Sequence, residues 1–406
     1  MKRVLFASLL GCCLSAMAAV PCVSNVVMTT YGKCRITYTL SEAPGIVTFD
    51  ILTNGVSIGA QNLTNAVGDV NRLVQPGPGR IEWTAQEVWP GHKFRTPCVT
   101  ARVTVWPTNA PPDWRAVDLT KADCPVTYYA SEAALPWGKI WTNKKYKGDV
   151  LLMRKIPASH VLSFMGSPET EANRVAGRET RRMCTLTNDF YIGIYPMTCR
   201  HYFLIQYGPE YTRDDHKETS LVPISQLSYN QLRYASNNYD NPDLPINFPK
   251  TGRTAVGNSS LLKGWRDKTG LVLDLPTSAQ WEFACRAGAD TPRFWWNGAE
   301  ATLANICKSG ATHNYEVGSY AGNDWMLFDL IGNTYEWCLD CFEDDITADA
   351  VTDPLGPTPT SNKSLQRKIR GHHDQDIHKR SAFFTGSYHT NADQLNIGLR
   401  LCITLF

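Results

Sequence analysis

"FDLIGNTYEWCLDCFEDD", residues 328–345, packs a Gly332-Asn333 turn pair, the aromatics Tyr335 and Trp337, a Cys338-x-x-Cys341 pair and six acidic residues into one short stretch. Three kinds of chemistry fit it. A hard cation wants carboxylate and carbonyl oxygens gathered by a tight turn, and Asp329 and Glu336 bracket such a turn. Alternatively, the two carboxylates cap backbone amides while Tyr335 and Trp337 pack inward. The cysteine pair reads as buried thiols or a structural disulfide, as a redox couple, or as half of a zinc site. Zinc needs two more ligands at suitable spacing, and a redox couple normally opens a helix after a strand, whereas this pair follows a Trp-containing block.

Upstream, "LPTSAQWEFACRAG" (275–288) reads as a helix. Thr277 caps it while Gln280 reaches back in a capping box, Trp281, Ala284 and Cys285 share a face, and Gly288 stops it. Cys285 is thereby expected to point at a core. This half mixes strands, helices and long polar loops without a repeating βα unit, which predicts an α+β domain over 155–406.

Residues 24–105 differ in texture. "CRITYTL", "GIVTFDIL", "RIEWTA" and "VTARVTVW" alternate with period two and are separated by turn signals such as "TNG" and "QPGPG". An all-β sandwich of the fibronectin or immunoglobulin kind is expected over 19–110. The Pro-rich "PTNAPPDW" at 107–114 then reads as a break, with 111–154 as linker and lead-in.

Met1 to Ala18 has the pattern of an export signal: Lys2 and Arg3, an apolar run, and Ala16-Met17-Ala18 as a small-x-small cleavage site. A secreted, periplasmic or cell-envelope location is expected. "LLGC" at 9–12 resembles a lipoprotein box behind a very short apolar region. No later stretch reaches the ~20 apolar residues of a spanning helix. Cleavage would remove Cys12 and Cys13 from the thirteen cysteines, leaving an odd number in an oxidising compartment, with Cys22, Cys34, Cys98 and Cys124 in the first third. Forty basic residues against 38 acidic ones give a net charge of +2, too little field to gather nucleic acid.

Eight ordered blocks resemble the formylglycine-generating enzyme family, the sulfatase-modifying factor domain: "SFMGSPE" (163–169), "DFYIGIYPMTCRHY" (189–202), "LPTSAQWEFACRAG", "ANI" (304–306), "FDLIGNTYEW" (328–337), "IRG" (369–371), "RSA" (380–382) and "NIGLRL" (396–401). The resemblance covers about 155–402 and implies a C-type-lectin-related fold. It also implies a calcium site with a side-chain oxygen at Asp329, main-chain carbonyls at Gly332 and Thr334, and a carboxylate at Glu336. A second, weaker site is implied at Asn305 and Ile306, but the loop that follows lacks the expected aspartate.

The family's enzyme oxidises a sulfatase cysteine with oxygen and a copper ion held by two cysteines. At the corresponding place this chain has "IRGHHDQDIHKRSAFF", which contains no cysteine, and Cys402 is the only one beyond residue 341. Copper is therefore not expected, since Cu(I) prefers paired soft thiolates. Ser381 stands near the place of the family's partner for Cys285. If the replacing segment is extended, His372, Asp374, Asp376 and His378 fall on one side, a set that suits divalent iron or zinc; the bland reading is a solvated loop. The expected function is an exported binding module for a peptide, protein or glycan. The alternatives are an active oxidase of the family and a structural cell-envelope component.

Overall fold

The computed structural model describes residues 19–30, 33–92, 98–212, 220–233, 256–290, 307, 314–357, 366–371, 376–388 and 396–406. The export-signal pattern at 1–18, Asn305, Ile306, His372 and Asp374 lie outside them.

Residues 22–106 form two antiparallel sheets. One runs in the order Cys22–Thr29, Cys34–Ser41, Gly77–Trp83, Val67–Gly68; the other is built on Gly45–Thr53, which pairs with Val56–Ser57, Arg72–Val74 and Val99–Trp106. Period-two alternation sends Ile36, Tyr38 and Leu40 from the first sheet and Val47 and Ile51 from the second into one shared core, where Trp83 is fully buried.

The second region is organised on a five-stranded antiparallel sheet in the order Val126–Tyr129, Trp114–Asp118, Val150–Ile156, Phe190–Gly193, Cys402–Thr404. Residues 111–154, expected as linker and lead-in, thus contribute two strands and the start of a third. The Pro-rich stretch before them conceals this, and the strands lack clean alternation because the sheet is buried on both faces. Ala116, Leu152, Phe190 and Ile192 join one core together with the helix Ser278–Cys285. Val117, Leu151, Met153 and Tyr191 join another together with the helices Cys199–Tyr207 and Leu261–Thr269. Two smaller sheets complete the α+β architecture: Thr385–Tyr388, Gln366–Arg370, Tyr335–Cys341, Ile397–Gly398 in one, and Val161–Met165, Arg182–Leu186, Val351–Thr352 in the other.

The expected capping box of Ser278–Cys285 is formed. Thr277 Oγ1 accepts from Gln280 N–H at 3.0 Å, and the Gln280 side chain accepts from Thr277 N–H at 2.9 Å. Every residue of this helix is buried, and burial pushes the Cys285 thiol up to about 12. The helix Cys199–Tyr207 uses a rarer box, in which His201 occupies the third position. Its Nδ1 accepts from Thr198 N–H at 3.4 Å, and its Nε2 lies 3.1 Å from Val150 O, which fixes the neutral tautomer with Nε2–H donating. Burial holds this imidazole down at about 4.

Candidate functional site

The segment that brackets the Gly-Asn pair folds as a tight irregular turn leading into the strand Tyr335–Cys341. Asp329, Gly332 and Asn333 all take positive φ, at 54°, 88° and 65°. Glycine is required at 332 on two counts, because a Cβ there would stand 2.6 Å from Cys307 Cβ. The turn is fastened on three sides. Asn333 Oδ1 accepts from Tyr315 N–H at 2.9 Å and its Nδ2 donates to Tyr315 O; Thr334 Oγ1 donates to Asn396 O at 2.9 Å; Gly332 N–H donates to Gly371 O at 3.2 Å.

The two carboxylates of the turn have different environments. Both Glu336 oxygens are engaged: Trp281 Nε1–H donates to Oε2 at 2.7 Å, and Arg400 Nη2 sits 2.8 Å from Oε1 in a fully buried ion pair. Asp329 accepts from Gly318 N–H through Oδ2 at 2.6 Å, while its Oδ1 is buried with no hydrogen-bond partner among the described residues. Burial pushes this carboxyl up to about 6, against the lowering effect of the Gly318 bond and of Arg400. Asp329 Oδ1 is thus an orphaned acceptor that suits a hard cation, whereas Glu336 is already neutralised. Gly332 and Thr334 lie in the same turn. Among the described residues no group of three or more His, Cys, Asp or Glu side chains gathers in metal-binding geometry.

Around the turn lies a buried network that sequence reasoning missed. Glu282 receives Arg286 at 2.6 Å and Arg370 at 2.8 Å, and Arg370 also reaches Ser278 Oγ at 2.7 Å. Ser381 Oγ accepts from Arg286 Nε at 3.3 Å, which places it beside the helix that carries Cys285. The signals in the sequence were the arginines of "ACRAG", "IRG", "RSA" and "GLRL", and nothing local to them says that they point inward.

Cys338 and Cys341 are free, buried thiols on the strand Tyr335–Cys341, three positions apart. Burial raises both, Cys338 well above the ordinary thiol value, and Arg367 Nη1 donates to Cys341 Sγ at 2.9 Å. A raised thiol is the opposite of what a reactive couple needs.

The segment after Gly371 is not an extended strand where it is described. Asp376–His378 is a single 3-10 turn, so the period-two alternation expected of an extended segment does not hold there. The physical reason is that Arg380 and Phe383 draw the chain inward immediately afterwards. The His378 ring stacks on Phe383 at 4.3 Å, and Arg380 is buried against Glu179 and Glu171, with Nη2 donating to Asn173 O at 2.8 Å. Ile377, between Asp376 and His378, is 48% exposed.

A profile of the sulfatase-modifying factor enzyme 1-like domain matches residues 158–405. The chain is 28% identical over 156 residues to the formylglycine-generating enzyme of Streptomyces coelicolor, covering 34% of this chain and 49% of that protein. It is 35% identical over 101 residues to the serine/threonine-protein kinase pkn1 of Chlamydia pneumoniae, covering 24% of this chain and 15% of the kinase. It thus spans about half the length or less of these curated relatives. Among solved structures, PvdO from Pseudomonas aeruginosa aligns with a TM-score of 0.46 at 21% identity, over 63% of this chain and 94% of PvdO. With the profile match extending over more than half of its residues, the chain belongs to the sulfatase-modifying factor enzyme 1-like family.

Proposed function

We infer that this protein is an exported recognition module of the family and lacks copper-dependent cysteine oxidation. The observation that carries this reading is the placement of the thiols. Residues 342–401 contain no cysteine, and all seven cysteines from Cys184 onward are buried. A two-thiolate copper site needs thiols that ionise and that lie together near the surface. Here Cys184, Cys285, Cys338, Cys341 and Cys402 are all shifted upward, chiefly by desolvation.

Recognition is assigned to residues 371–379, of which 372–375 lie outside the described residues; the flanking arginines are buried, Arg370 on Glu282 and Ser278 and Arg380 on Glu179 and Glu171. A polar sequence between two anchored arginines suits contact with a peptide, protein or glycan. Calcium belongs to the same reading, with Asp329 as its free carboxylate arm beside Gly332 and Thr334, and with Glu336 shared with Arg400. Export rests on the Met1–Ala18 pattern.

The test is to incubate the purified mature protein with a sulfatase-type Cys-x-Pro-x-Arg peptide and Cu(I). The expected result is no aldehyde by peptide mass spectrometry. Aldehyde that disappears on heat denaturation of the protein would overturn the reading.

A further inference from the structure

Residues 48–134, which lie before the family-matched range, enclose a cleft. The strands Gly45–Thr53 and Val99–Trp106 pair antiparallel, with Thr48 opposite Thr104 and Asp50 opposite Arg102. Val47, Ile51, Val99, Ala101 and Val103 pack on the sandwich core. Because side chains alternate along a strand, Thr48, Asp50, Arg102, Thr104 and Trp106 turn to the other face. There Ala130 and Ala134 stand over them and leave a cavity of about 380 Å³. Tyr128 N–H donates to Asn71 O at 2.7 Å and ties the two walls together.

The cleft is rich in hydrogen-bonding groups, and its charges balance. Asp50 is held by Arg102 Nη2 at 2.9 Å and by Ser57 Oγ–H at 2.8 Å. A guanidinium has five donors, and that of Arg102 remains 62% exposed. The hydroxyl of Thr104 and the side-chain amide of Asn71 add donors and acceptors along the wall. Trp106 is half-buried, with its indole fixed by Nε1–H donation to Thr48 Oγ1 at 2.8 Å.

A phosphate would want unbalanced positive charge, a cation would want an unshared carboxylate, and an apolar ligand would strand the hydroxyls and the ion pair. A sugar ring has the complementary character, since its hydroxyl edge donates and accepts while its C–H face packs on an indole. We propose that this cleft binds a neutral saccharide, with the Asp50–Arg102 pair and Thr104 reading ring hydroxyls and Trp106 supplying the apolar platform. The volume is at the small end of the range for small-molecule clefts, about 300–1,000 Å³, which suits a short saccharide and excludes a polymer lying along the sheet.

The test is saturation-transfer NMR on the full mature chain, using methyl glycosides of the common neutral hexoses and N-acetylhexosamines, with sialic acid and short peptides as comparison ligands. Transfer to ring protons of at least one neutral glycoside is expected, with a Kd of about 1 mM or tighter. Arg102→Ala should weaken binding at least ~10-fold, equivalent to 1.4 kcal/mol. Ala134→Tyr, which fills the cleft from the opposite wall, should abolish it, and near-UV circular dichroism establishes that both variants fold. Arg35→Ala, on another part of the sandwich, should bind as wild type. No binding by any neutral glycoside, binding unchanged in both cleft variants, or binding only of sialic acid or peptide would each overturn the proposal.

Discussion

In the sandwich, Arg35 reaches Glu82 and Arg102 reaches Asp50 from side chains that are 52% and 62% exposed; in the larger domain, the pairs Arg400–Glu336 and Arg380–Glu179 are fully buried. Backbone regularity accounts for the contrast. The sandwich satisfies its amides and carbonyls in ladders and can leave its charges in water. The larger domain passes much of its chain through irregular loops, whose buried carbonyls still need donors. Guanidinium groups supply them. Arg370 Nη1 donates to Ser381 O and Ala382 O, both at 2.9 Å; Arg400 reaches Gly193 O at 2.9 Å and Phe328 O at 2.8 Å; Arg286 reaches Gly166 O at 2.7 Å and Phe164 O at 3.1 Å. Each planar fork thus joins loops distant in sequence, a task that elsewhere falls to a strand.

The comparison breaks most clearly at Arg400. Arg400→Ala leaves Glu336 buried and without its cation, and removes donors from two carbonyls. Urea unfolding followed by tryptophan fluorescence should show the larger domain losing about 3–5 kcal/mol. A loss similar to that of an exposed arginine would mean that the buried network is not what holds the loops.

The next effect is pH dependence at His201. Its folded value is depressed to about 4 from 6.5, so the unfolded chain takes up a proton across that window and the native state does not. Stability conferred by the neutral ring is therefore present above pH 6.5 and lost as pH falls toward 4, by roughly 3 kcal/mol in all. His201→Gln should flatten this slope in unfolding curves taken between pH 7 and 4, and an equal slope in both proteins would refute the assignment.

Calcium sharpens the comparison at a single carboxylate. Native-state binding raises stability by about 2.7 kcal/mol at a hundredfold excess over Kd. Melting of the wild type should therefore rise with calcium above pH 6 and respond weakly below it, because Asp329, raised to about 6, must ionise to bind. Without calcium, the same raised value makes stability fall as pH rises through 6, so Asp329→Asn should melt higher than wild type at pH 7.5 while losing the calcium response. A response that survives in Asp329→Asn would place the cation elsewhere. The smallest effect is expected from Arg35→Ala, whose exposed ion pair should leave the unfolding curve within error of wild type.

The sequence was most legible where local chemistry decides the outcome. Period two found the strands Cys34–Ser41, Gly45–Thr53 and Val99–Trp106, and the Thr277–Gln280 capping box found its helix. The Gly332-Asn333 turn was legible because positive φ restricts the residues that can occupy it. What stayed hidden depends on distant partners. Trp114–Asp118 is a strand because Val150–Ile156 lies beside it, and Val126–Tyr129 because it pairs in turn with Trp114–Asp118. The alternation of His372, Asp374, Asp376 and His378 suggested a strand, yet Asp376–His378 turns where the buried Arg380 pulls on it, while His372 and Asp374 fall outside the described residues. The pairing of Glu336 with Arg400 joins residues 64 apart, and no local pattern marks it.

The closing strand Cys402–Thr404 has a consequence in time. It pairs with Phe190–Gly193, and Arg400 hydrogen-bonds Gly193 across 207 residues of chain. As the protein is synthesised, the strand Phe190–Gly193 lacks its outer partner and Glu336 waits without its counterion until these late residues emerge. Pairings between such distant segments form slowly, because a long loop must close before the contact is rewarded. The larger domain therefore completes its folding only after residues 402–404 have been made, whereas the sandwich, whose strands all lie within residues 22–106, can finish while those that follow are still being added.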